Sequence, residues 1–219
     1  MKRHNLFSQH HKALKAMLYD AALSLQQTDF SVEEESGQLI QKLMDITRLF
    51  DTYAQVEDLY ILAAIDPFEP SMADAFRQEQ AAGLKLSQAL RFALAALGKA
   101  EGEQTLGSAY MTFMNFQLTL LARVDEGLTP VLGRYFTDRE LKTLEQEMAF
   151  ALPANLQGLM MRWKMKGINN GEAVRWLKEA ENSAPEIDFQ QLFTTAEKEL
   201  PPHRFRQVIE LFTEGVMLA

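Results

Sequence analysis

Between Leu39 and Ala64 the residues Leu39, Leu43, Ile46, Phe50, Tyr53, Glu57, Tyr60 and Ala64 are separated by alternating steps of four and three. That spacing lays them along one stripe of a helix. Glu57 is the anomaly, a carboxylate on the face that should be core. Burying a carboxylate is costly unless it is paired or bound to a metal. Three further stretches carry a comparable stripe. In Leu6–Leu25 it is Phe7, His11, Leu14, Leu18, Ala21 and Leu25, with His10 off the row. From Ser71 to Leu97 it is Phe76, Gln80, Gly83 or Leu84, Ser87, Leu90, Leu94 and Leu97. From Ser108 to about Gly133 it is Leu118, Leu121, Asp125, Leu128 and Leu132.

The punctuation between these stretches is local. Ser31 with Glu34 reads as a capping box opening the second helix, and Asp66-Pro67-Phe68-Glu69-Pro70 closes it. Ser71 is a cap for the third helix and Gly98 its stop. The segment Lys99–Leu106 reads as an acidic loop, and Pro130 as a bend or end to the fourth helix. Four long amphipathic helices on short connections are packed most simply as an up-down-up-down bundle, with no strand pattern anywhere. Beyond Phe136 the helices shorten. Thr137 and Glu140 form a second capping box, and Pro153, Asn169, Pro185 and Pro201-Pro202 each introduce another helix. The expected organisation is all-α, a bundle with its following helix over 1–150 and a helical extension over 151–219. No internal repeat is expected.

Composition removes several chemistries. The chain has 219 residues, 47% of them apolar, and a mean hydropathy of −0.18, typical of a globular domain. A net charge of −8 and the lack of a basic stripe argue against nucleic acid and anionic membranes as partners. No run reaches the ~20 apolar residues of a membrane span, and the N-terminus lacks the apolar core of a signal peptide. A cytoplasmic protein is expected. With no cysteine, thiolate metal sites and cysteine nucleophiles are excluded. No serine triad or phosphate loop appears, so the chain does not read as an enzyme.

Polar residues nevertheless stand at mid-length on each inner stripe: His11, Tyr53 with Glu57, Gln80, and Asp125. Their order and spacing resemble the hemerythrin-like (HHE cation-binding) family over about residues 6–150. Phe7-Ser8-Gln9-His10-His11 resembles the first family helix, with His11 at a ligand position. Tyr53-Ala54-Gln55-Val56-Glu57-Asp58 resembles the His-x-x-x-Glu-Asp segment, with Glu57 in register and Tyr53 in place of histidine. Glu79-Gln80 resembles the Glu-His of the third helix, with Leu84 where a second histidine belongs. Leu120 and Asp125 fall on the histidine and carboxylate of the fourth.

The resemblance implies a metal site formed of five histidines with bridging Glu and Asp, and most of that set is replaced. His11, Glu57 and Asp125 remain, with Tyr53 a further candidate ligand. The expectation is a hemerythrin-like bundle that has lost its diiron site and serves as a non-enzymatic scaffold or interaction protein. In that case no cofactor is bound, and the partner and oligomeric state stay open. The alternative is a single iron held by the residual set, in an oxygen, redox or iron sensor. For His11 and Glu57 the residues also allow a buried hydrogen-bonded pair, with Tyr53 or Gln80 as a second donor.

Overall fold

The computed structural model describes residues 3–98 and 101–217, with side chains as far as Thr213. Among these residues it is helical, with no strand. Contacts divide the chain into two compact units, Met1–Ser8 with Met17–Pro153, and Gln9–Ala16 with Ala154–Ala219. The first helix, α1 (Ser8–Gln27), thus contributes to both.

The first unit holds three more long helices. α2 (Glu33–Glu57) continues without a break through a π turn, Asp58–Leu62, into a last α-helical turn, Ala63–Ile65. α3 spans Pro70–Ala95. α4 (Gly102–Arg123) continues through a second π turn, Val124–Leu128, into Thr129–Tyr135. α5 (Asp138–Ala151) then packs against α2 and its π turn. Side-chain bonds link the long helices in a ring. Lys42 of α2 reaches Asp20 and Ser24 of α1 at 2.7 and 2.6 Å. Arg91 of α3 pairs with Asp51 of α2, and Arg123 of α4 with Glu79 of α3. The buried Tyr110 hydroxyl of α4 donates to the Leu18 carbonyl of α1 at 2.6 Å. Phe50 and Phe113 meet edge to face beneath them, 5.6 Å apart.

The stripes on α1 and α3 are buried much as expected, except that His10, off the row, is buried as well as His11. On α2 the row is interrupted. After Glu57 the buried residues are Ile61, Leu62 and Ile65, while Tyr60 and Ala64 are only half-buried. The π turn is the cause: the Ala63 amide bonds to Asp58, five residues back, which takes up one extra residue and turns the next apolar set inward. The second π turn has a local contributor. Pro130 has no N–H for the Glu126 carbonyl, and the Thr129 amide bonds to Val124 five residues back. The helix runs on past Pro130 to Tyr135, so the proline does not end it.

Two expected caps are also corrected. Ser31 spends its hydroxyl and amide on Asp29, at 2.6 and 2.9 Å, and α2 starts from Val32 with no side-chain cap. Such an Asx turn competes directly with capping. α3 begins at Pro70 rather than after Ser71, since proline's fixed φ and missing donor suit a first helical position. Gly98 follows that helix at φ 89, as its stop position requires. Lys99 and Ala100 of the expected loop lie outside the described residues, and the rest of it is largely the start of α4.

The second unit comprises α6 (Ala154–Gly167), α7 (Asn170–Ser183), α8 (Glu186–Glu199) and α9 (Pro202–Met217), with the Gln9–Ala16 stretch of α1. Its core runs from Met165 and Ile168 through Leu177, Leu192 and Leu200 to Val208 and Phe212. Gly167 ends α6 hard against α1: a Cβ there would lie 2.6 Å from the Lys12 carbonyl oxygen. Lys12 also pairs with Glu172 at 2.6 Å, and Glu172 closes the Asn169 capping box. Thr137 and Glu140 form the other full box, as read from the sequence. From α5 onward the helices begin at Asp138, Ala154, Asn170, Glu186 and Pro202, sixteen residues apart each time. Fourteen-residue helices on two-residue links generate that pitch, a regularity the sequence reading did not anticipate.

Candidate functional site

The polar core of the first unit is centred on Glu57, 5% exposed on the last α-helical turn before the π turn of α2. Across from it Gln80, on the inner row of α3, donates from Nε2 to Glu57 Oε2 at 2.8 Å. Glu57 Oε1 is buried and accepts no hydrogen bond among the described residues. Burial pushes the carboxyl up to about 7, against the Gln80 bond, which lowers it, and with the nearby Asp58 charge adding to the rise.

Tyr53 sits one turn before Glu57 and is buried. Its phenol is held well above the ordinary tyrosine range, first by burial and then by the charges of Glu57, Glu145 and Asp125. These acidic groups are thus close enough to act on one hydroxyl, which remains a neutral phenol. Asp125 itself is half-buried, with Val124 taking the core position beside it. Glu145 comes from α5 and is bonded to His4 Nε2 at 2.7 Å. It lies between Leu141 and Met148 on the buried row of its helix, the same polar-on-apolar signal that marks Glu57. Sequence reasoning missed it because it applied that test only to the four long helices.

Leu84 and Leu120 line a cavity of about 20 Å³ together with Asp51, Gln80 and Gln117. Such a space admits a water but no substrate. Gln117 is a second buried amide, on the Tyr110, Phe113, Leu121 side of α4, and its Nε2 would lie 3.1 Å from a Cβ at Gly83. Burial raises the Asp51 carboxyl, and Ser87 and Arg91 oppose the rise.

The structure thus brings Tyr53, Glu57 and Gln80 together, with Asp125 and Glu145 near the phenol. His11 is buried at 2% in the Gln9–Ala16 stretch, which belongs to the second unit. Among the described residues no group of three or more histidine, aspartate or glutamate side chains is arranged to hold a metal ion. No protein-family model, no curated protein and no solved structure matches the chain.

Proposed function

We propose that the chain is a degenerate hemerythrin-like protein whose metal site has become a hydrogen-bonded polar core, and that it serves as a non-enzymatic scaffold or interaction protein. The reading is carried by the bond from Gln80 to Glu57. At these positions the resemblance places a histidine ligand and a bridging carboxylate. Here the amide nitrogen donates to Glu57 Oε2, where a bridged metal would sit, and the only ligand atom Gln80 has is a weakly donating carbonyl oxygen. Leu84 and Leu120 offer no ligand atom. The side chains present do not fit two irons.

The up-down-up-down course of the helices belongs to the same proposal. Along α2 and α3, Asp51 meets Arg91, Glu57 meets Gln80 and Asp58 meets Arg77, so one helix ascends as the other descends. Between α3 and α4, Glu79 pairs with Arg123 and Gly83 adjoins Gln117, again in opposite order.

A second reading, one iron in a sensor, draws on the unpaired Glu57 Oε1 and on the acidic groups around Tyr53. Elemental analysis of the full chain, expressed with added iron, decides between the two. The scaffold reading expects well under one iron per chain and no oxo-bridged absorption in air. One or more tightly held irons, lost in Glu57→Gln, would overturn it.

A further inference from the structure

The π turn in α2 is bracketed by a single guanidinium. Arg77 of α3 donates from Nε to Asp58 at 2.8 Å and from Nη2 to Asp66 at 3.3 Å, with Nη1 on Asp74 at 3.1 Å. Asp58 is the first residue of the turn and Asp66 follows the last residue of the helix. In an uninterrupted α-helix, residues eight apart are rotated about 80° out of line. A π turn takes up one residue, so eight steps rotate like seven, and the two carboxylates fall within about 20° of one face. The same extra residue explains why Ile65, eight steps beyond the buried Glu57, is buried as well.

We propose that Arg77 is a positioning residue that locks α2 in its π register. One planar guanidinium satisfies both ends of the turn only in that register. Gln80 lies one helical turn beyond Arg77 on α3, so the lock also sets the height at which Gln80 meets Glu57. The lock rests on the proposed polar core for that last consequence alone. Iron bound by the wild-type chain would sink the scaffold reading and leave the lock untouched.

Hydrogen exchange at the Ala63 amide, which closes the π turn on Asp58, tests it in the full chain. Arg77→Ala should speed that exchange about tenfold and leave Thr129, the equivalent amide of the second π turn, within about twofold. Arg77→Lys should behave like Arg77→Ala, because one ammonium lacks the spread of the guanidinium. With Leu59 deleted the helix needs no π turn, and Arg77→Ala should then change the same amide less than about twofold. Unchanged exchange in Arg77→Ala, equal loss at Ala63 and Thr129, full rescue by lysine, or an undiminished effect in the deleted chain would each overturn the lock.

Discussion

The first unit buries Glu57, Gln80, Gln117, Thr47 and Ser87 among its helices, whereas the cluster at the centre of the second is apolar from Met165 to Phe212. The buried histidines of the second unit, His10 and His11, come from the stretch of α1 it shares. An apolar cluster asks only for volume, so its stability scales with how well each side chain fills its place. A buried polar core asks for specific partners, and its worst failures come from removing one member of a pair. The two units should therefore break in different ways.

The largest effect is expected from an ordinary cavity. Leu177→Ala, at a fully buried site of α7, should cost about 2–5 kcal/mol. Hydrogen exchange should register the loss across α6 to α9; equal loss throughout α3 would erase the distinction between the units. Next comes a dependence on pH that belongs to the first unit. The folded Glu57 carboxyl, raised from 4.5 to about 7, binds its proton more tightly than in the unfolded chain. Stability is then fully present below about pH 4.5 and falls as pH rises through about 7, by roughly 3 kcal/mol in all. Urea melts of Glu57→Gln should lack this descent; parallel curves for variant and wild type would contradict it.

A smaller effect sharpens the polar case. Gln80→Leu removes the donor to Glu57 and should cost about 1–3 kcal/mol. Adding Glu57→Leu should recover most of that, since two packed hydrophobes often match a buried polar pair. Simple additivity in this double-mutant cycle would show that the bond does not matter. The smallest change expected is at a cap. Asn169→Ala opens the capping box of α7 and should lower the thermal midpoint by an amount worth about 1 kcal/mol. No shift at all would mean that neighbouring packing, not the cap, fixes where α7 begins.

What the sequence determined by itself is whatever is decided within a few residues. The stripes of α1 and α3, the box at Thr137–Glu140, the helix start at Asn169 and the stop at Gly98 depend on spacing and side-chain chemistry read along the chain. Two local readings failed: Ser31 because Asp29 offered a nearer acceptor, and Ser71 because Pro70 already suits the first helical position. Glu57, too, was marked by its place on an apolar row, before any partner was known. Gln80 was legible too, but only as one candidate donor beside His11 and Tyr53. Gln80 stands twenty-three residues away, and only the packing of α3 on α2 brings its amide to the carboxylate. The π turns were likewise beyond a reading that assumed one period throughout. Whether a helix takes up an extra residue depends on what waits to bury Ile61 and Ile65 and to bind Asp58 and Asp66, and those groups come from other helices. Local preference fixes where helices form, and tertiary contacts fix their register and the charges they must share.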